Sequence, residues 1–328
     1  ELVIFAFLFF AYSYFHQGGG WNQNSRFDQV RSIVESHRWE INDYLLYRLM
    51  HDESGVEKLR RLAMPSVPLE QVGLIANTGD ISLFNGRFYP NKPPGTVLAA
   101  VPGYFVIYGV ERALGIDPDD WWVLTVNAYL TTIFSVSLLA AIGGVTFYRI
   151  SLRLFPMTAP WTHIASTLTF GLGTMMLPFA TMLFDHVEVA TLSLVTFWLL
   201  LLEKDGRFVS FPPAVVCLVA GVVSGLAVIL NYSSLIFLVL FVLYAAWVVE
   251  TRQKIIFFLA GATFPILFLA WYHQVCFGGV LATANAYQSE LFRKEGMVLF
   301  GMFGVPRWEV KAKLLFASNR GLLITSPV

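Results

Sequence analysis

Apolar residues along the chain gather into long runs, at about residues 1–15, 94–113, 121–148, 160–183, 187–202, 213–230, 233–249 and 255–273. The runs at 121–148 and 213–230 contain no Asp, Glu, Lys or Arg. Roughly twenty such residues cross a bilayer as a helix, so the pattern predicts an all-α polytopic membrane protein. Lys and Arg favour the cytoplasmic ends of spans joined by short loops. Arg149 and Arg153, then Lys204 and Arg207, then Arg252 and Lys254 occupy every second loop, and the loops at 184–186 and 231–234 carry no Lys or Arg. This alternation makes residues 16–120 one large external loop, provided that 94–113 does not cross. Pro102-Gly103 interrupts that segment and Glu111-Arg112 ends it, which suits a broken helix lying in the interface or among other helices. The count is then seven spans with the amino end inside: a truncated first span at 1–15, six spans within 121–273, and a second external loop at 274–328 leading to a further span. The chain opens in an apolar run without an initiator Met and reads as a fragment; a signal peptide at 1–15 is the alternative.

Within the first external loop, Phe27, Val30, Ile33 and Val34 share a helical face, and Arg31 and Glu35 are spaced to pair at i, i+4. They predict a short juxtamembrane helix. A second is expected over Asn42 to Met50, with Asn42 as N-cap and Leu45, Leu46 and Leu49 as its apolar side. Gly18-Gly19-Gly20 reads as a flexible exit from the first span, since no strand precedes it to make a phosphate loop.

Composition sharpens the picture. The 328 residues are 56% hydrophobic and 13% charged, with a formal net charge of zero, whereas soluble domains are about one quarter charged. No basic run points to nucleic acid or to an electrostatic surface anchor; membrane lipids are the expected surroundings. Cys217 and Cys276 read as packing residues, too far apart in this topology for a disulfide or a metal pair. Few ionisable residues lie away from the span ends after residue 120, which argues against an ion-coupled transporter.

The densest polar constellation is Thr78-Gly79-Asp80 through Asn85-Gly86-Arg87-Phe88-Tyr89-Pro90-Asn91-Lys92-Pro93-Pro94-Gly95. Tandem prolines fix the backbone where Lys92 meets the interface. A cation there suits a lipid phosphate; the alternative is a snorkelling lysine. The run from Asn85 to Gly95 resembles the "NG-x-x-Y-x-x-KPPG" signature of the first external loop in GT-C membrane glycosyltransferases. That superfamily includes the protein O-mannosyltransferases and the lipid A aminoarabinose transferases (family 39-type). Asn22 to Asp28, Gly171-Leu172-Gly173-Thr174 through Phe184-Asp185-His186, and Ser318-Asn319-Arg320-Gly321-Leu322-Leu323 with Ser326-Pro327 are similar to the same branch, in the expected order.

The resemblance implies a GT-C-like seven-span module with juxtamembrane helices in its large first external loop. It implies inverting transfer of a sugar from a polyprenyl-phosphate donor, the lipid-linked substrate, to an acceptor. On the same resemblance, transfer is expected at the extracytoplasmic face, in the bacterial cytoplasmic membrane. Lys92 and Tyr89 match positions that contact the donor phosphate, and Arg26 matches an arginine of the first juxtamembrane helix. Gln23 and Asn24 stand where family members commonly carry an acidic pair. Either the base has moved to Asp28, Asp43 or Asp80, or the chain is a non-catalytic accessory or scaffold subunit of a larger membrane complex.

Each candidate has a plainer reading. Asp28 is a catalytic base or, in Ser25-x-x-Asp28, half of a capping box. Asp80 is a base or a turn former, and Asp43 contacts donor or acceptor or favours the first turn of its helix. His186 with Asp185 and Glu188 could bind a metal or a donor phosphate, but with one histidine locally no metal is expected; the readings are contact with donor or acceptor, or interfacial hydrogen bonding. Arg320 is a second phosphate cation or a surface arginine.

Overall fold

The computed structural model describes residues 1–45, 76–204, 212–249, 251–288, 297–299, 303–304, 307–318 and 321–325. The described chain is mostly helical. Five helices are long and apolar enough to cross a membrane: Gly95–Leu114, Trp121–Leu154, Asp185–Lys204, Pro213–Leu230 and Arg252–Phe277. Twenty residues at about 1.5 Å each match a hydrocarbon core of about 30 Å. Leu2–Tyr14 and Tyr232–Val248 are shorter apolar helices. The chain divides into two compact units, one of residues 1–15 and 136–271, the other of 16–135 and 272–327.

In the first unit, the helices Asp185–Lys204 and Pro213–Leu230 pack together, and Leu2–Tyr14 packs on Leu138–Leu154. The helices Pro213–Leu230 and Arg252–Phe277 meet backbone to backbone. A Cβ at Gly221 would stand 1.9 Å from the Phe258 carbonyl oxygen, and one at Gly261 would stand 2.1 Å from that of Leu218. Without tail-versus-water hydrophobicity to drive helices together in lipid, such small residues let dispersion do so.

The apolar run at 160–183, expected as one span, is two helices, Pro160–Leu172 and Met176–Ala180. Thr174 separates them: its hydroxyl donates to the Phe170 carbonyl at 2.7 Å and accepts the Met176 N–H at 3.2 Å. A side chain that closes one helix and opens the next competes with the continuous ladder.

In the second unit, Trp21–Ser36 packs on Gly95–Leu114, with Phe27 edge-on to Tyr104 at 5.5 Å. Val30 and Phe27 are buried, and Arg31 pairs with Glu35 at 2.7 Å, as the spacing predicts. The cap differs from expectation. The helix begins four residues before Ser25, at Trp21, and its N-cap is Gly20, whose N–H donates to Gln23 Oε1 at 2.7 Å, so Asp28 lies mid-helix and caps nothing.

Gly95–Leu114 is also continuous rather than broken, with Pro102 inside it. The proline is exposed, so its ring displaces no packed neighbour and costs the helix a single hydrogen bond.

The all-helical expectation missed a β-hairpin. Ile81–Phe84 pairs antiparallel with Arg87–Pro90, Phe84 opposite Arg87 and Ile81 opposite Pro90. Asn85 and Gly86 both have positive φ, 48° and 74°, the conformation that a two-residue type I′ turn demands and that Asn-Gly supplies. Asn42, expected to cap a helix, clamps this turn instead: Phe88 N–H donates to its Oδ1 at 2.8 Å and its Nδ2 donates to the Gly86 carbonyl at 3.2 Å. Ile41, Leu45, Ile81 and Phe88 form a small buried core beneath. Residues 46–50 of the helix expected after Asn42 lie outside the described residues.

Candidate functional site

A cavity of about 330 Å³ lies within the second unit, and Asp28 and Arg31 of the Trp21–Ser36 helix form part of its wall. Asn24, one helical turn before Asp28, lines it too, as do Asn77 and His16. Trp121 and Leu124 supply apolar surface from the helix that begins at Trp121. Asp28 is 3% exposed. Its Oδ1 accepts from Asn77 Nδ2 at 3.0 Å, while its Oδ2 makes no hydrogen bond. Burial pushes this carboxyl well above the usual range; the Asn77 hydrogen bond and the Arg31 charge pull the other way and lose.

Asn77 ties the wall together. Its side chain donates to Asp28 and to the Tyr44 carbonyl at 3.3 Å, and its own carbonyl accepts from Asn24 Nδ2 at 2.8 Å. Asn77 Oδ1 and His16 Nδ1 are likewise buried without a hydrogen-bond partner. Burial also pushes the His16 imidazole down, towards its neutral form.

Arg31 is the cation of this wall among the described residues, and its charge is already engaged. Nε and Nη2 meet Glu35 at 2.7 and 3.1 Å, and Nη2 also meets Asp119 at 2.7 Å. The guanidinium carbon lies 4.8 Å from the Tyr44 ring centre. Burial disfavours this charge, yet the Glu35 carboxylate more than compensates and holds the pKa above the ordinary value. Glu35 in turn accepts from the Tyr104 hydroxyl at 2.6 Å.

The remaining candidates are distributed. Arg26 is buried and reaches Asn22 Oδ1. Asp80 is buried, its Oδ1 3.4 Å from Asn91 Nδ2, and its carbonyl accepts the Asn91 N–H at 3.2 Å. This closes the hairpin just before Lys92. Tyr89 lies against Phe277 with ring centres 5.1 Å apart, and burial pushes its hydroxyl up to about 12. Lys92 is half-buried in the turn that precedes the Gly95–Leu114 helix. Asp43 forms a surface pair with Arg38 at 3.3 Å, both more than half exposed.

In the first unit, Asp185 is buried and accepts from Asn231 Nδ2, with His186 Nδ1 at 3.9 Å. The His186 ring stands edge-on to Phe179 at 4.7 Å. Arg320 lies outside the described residues.

The segment 76–80 connects the Asp28 wall to the hairpin. Asn77 holds Asp28, the Thr78 hydroxyl donates to the Trp21 carbonyl at 2.6 Å and accepts the Asp80 N–H at 3.1 Å, and Asp80 holds Asn91. Sequence reasoning missed Asn77, His16 and Trp121. Nothing local marks Asn77, whose partner Asp28 is 49 residues away. No family model, curated protein or solved structure matches the chain.

Proposed function

We propose that this chain is a GT-C-type glycosyltransferase that moves a sugar, with inversion, from a polyprenyl phosphate to an acceptor hydroxyl at the extracytoplasmic membrane face. The observation that carries the reading is Asp28 in the cavity wall one turn after Asn24. The resemblance places a carboxylate at positions 23–24, where this chain has Gln23 and Asn24. Residues four apart share a helix face, so Asp28 offers to the same cavity the group that the earlier register lacks.

The chemistry follows. The acceptor oxygen attacks the anomeric carbon as its proton passes to the Asp28 carboxylate, and the bond from that carbon to the phosphate oxygen breaks with both electrons leaving on the lipid phosphate. A base whose pKa burial raises above the usual carboxylate range is the more effective proton acceptor. The departing phosphate needs chiefly cationic stabilisation, which this reading assigns to Lys92 and Arg26, with Arg320 as a further cation and Tyr89 as a hydrogen-bond donor. Asp80 is the second candidate base. Asp43, at the surface, and His186 with Asp185 contribute to donor or acceptor contact in this scheme.

The seven-span topology belongs to the same proposal and requires Gly95–Leu114 to lie in the interface. Its mean hydropathy of 1.3 is the lowest of the five apolar helices, and Glu111 near its end is buried within the protein.

One observation favours the accessory-subunit reading: Gln23 is occupied structurally, its Oε1 capping Gly20 and its Nε2 donating to the Gln17 carbonyl at 2.5 Å. Membranes holding the full-length protein, given radiolabelled polyprenyl-phosphate sugars, separate the two. Transfer by wild type that falls with Lys92→Ala and Asp28→Asn supports the enzyme. Absence of transfer with every donor supports the accessory subunit.

A further inference from the structure

We infer that the Asp28 cavity admits a neutral, hydroxyl-bearing group and turns phosphate away, so that a lipid-linked donor keeps its phosphate outside it. The inference deepens the glycosyl-transfer reading and rests on it for the choice of sugars as probes.

Charge comes first. An anion entering a low-dielectric site needs a cation with charge to spare. Arg31 is the cation of the wall among the described residues, and two carboxylates, Glu35 and Asp119, already bond it. Asp28, which itself lines the cavity, adds a further acidic group. The imidazole of His16 is held towards neutrality by burial. Among the described residues the lining is therefore neutral to negative near pH 7.

Hydrogen-bond polarity points the same way. Asn77 Nδ2 donates to both Asp28 and the Tyr44 carbonyl, which fixes the amide orientation and leaves Oδ1 as an acceptor without a donor. Asp28 Oδ2 also lacks a partner. Burying such groups unmet is costly: Asn77 Oδ1 calls for a donor, and Asp28 Oδ2 accepts when ionised and donates when protonated, so a hydroxyl, which does both, meets either state. Hydroxyls donate; a fully ionised phosphate only accepts. Phe27, Leu124 and Trp121 add apolar surface beside these acceptors, the mixture that suits a ring with one apolar face. A volume of about 330 Å³ is at the small end of ligand sites, which run from about 300 to 1,000 Å³. It fits a monosaccharide-sized group and excludes a polyprenyl chain.

The test is saturation-transfer NMR on the full-length protein in nanodiscs, with methyl glucoside, methyl mannoside and methyl xyloside as neutral probes and methyl phosphate, which has no sugar ring, as the anionic one. We expect at least one glycoside to show transfer that is lost when Ala128→Phe fills the cavity, and methyl phosphate to show none that depends on the cavity. Thr125→Leu serves as the second blocking variant should Ala128→Phe fail to fold. Removing the counter-charges with Glu35→Gln/Asp119→Asn frees Arg31 and should raise methyl phosphate binding at least tenfold.

Cavity-dependent binding of methyl phosphate by wild type, as strong as that of the glycosides, overturns the inference. So does the absence of cavity-dependent glycoside binding. Sugar transfer measured on the same preparation reports separately. Glycoside binding without transfer removes the transferase reading alone; transfer without cavity-dependent glycoside binding removes this inference alone.

Discussion

Replacing Arg31 with Met tests whether the charge network beside the cavity holds the second unit together. The guanidinium is 1% exposed and bonds Glu35 twice and Asp119 once. Its removal leaves Glu35, only 10% exposed, with the Tyr104 and Tyr44 hydroxyls as its donors among the described residues. Breaking a buried pair on one side costs about 3–5 kcal/mol, much of it from the stranded charge. Arg31→Met should therefore lower unfolding free energy by that amount. Adding Glu35→Gln should return more than 1 kcal/mol of it, because the stranded carboxylate becomes neutral.

Arg38→Ala is the control. Its pair with Asp43 is 57% and 63% exposed, where ion pairs contribute about 0–1 kcal/mol. Denaturant titration of the purified protein in micelles, followed by tryptophan fluorescence, measures all three. An Arg31→Met cost below about 1 kcal/mol, equal to that of Arg38→Ala, refutes the reasoning.

Asp28→Asn should stabilise the fold at neutral pH while impairing transfer. The folded carboxyl titrates above the reference value of 3.8, so the folded state holds its proton longer than the unfolded state. Wild-type stability consequently falls as pH rises from about that value through the raised folded pKa. The variant lacks this term, and the gap between their unfolding free energies, measured from pH 4 to 8, should widen with pH. Asn42→Ala strands the buried Phe88 N–H, now bonded at 2.8 Å, and should cost about 1–3 kcal/mol in the same denaturation assay. Gly261→Ala drives a methyl towards the Leu218 carbonyl, 2.1 Å from where its Cβ would sit, and should cost about 1–3 kcal/mol, seen as a lower thermal midpoint.

Much of the helical framework was legible because bilayer-length apolar runs are composition signals that no local detail obscures. The face of Phe27 and Val30 and the Arg31–Glu35 pair followed from helical spacing. Other features depended on single side chains. Thr174 splits an apolar run that periodicity treats as one helix, and the helix start at Trp21 moves Asp28 out of a capping position.

The hairpin was present in the sequence as Asn85-Gly86 between Leu83-Phe84 and Phe88-Tyr89. The motif around it drew attention to its charged end and away from its turn chemistry. The cavity wall was beyond reach from sequence, since Asn77, His16 and Trp121 meet Asp28 only through tertiary packing.

The account turns on a carboxylate displaced by one helical turn, and moving it back is the most direct measurement. Transfer from a radiolabelled polyprenyl-phosphate sugar should be followed for wild type, Asp28→Asn and the double variant Asn24→Asp/Asp28→Asn. Loss of a positioned base slows such reactions by about 10²- to 10⁴-fold, so Asp28→Asn should fall by that factor and the double variant should recover at least tenfold. Asp28→Asn transferring at the wild-type rate would contradict the account.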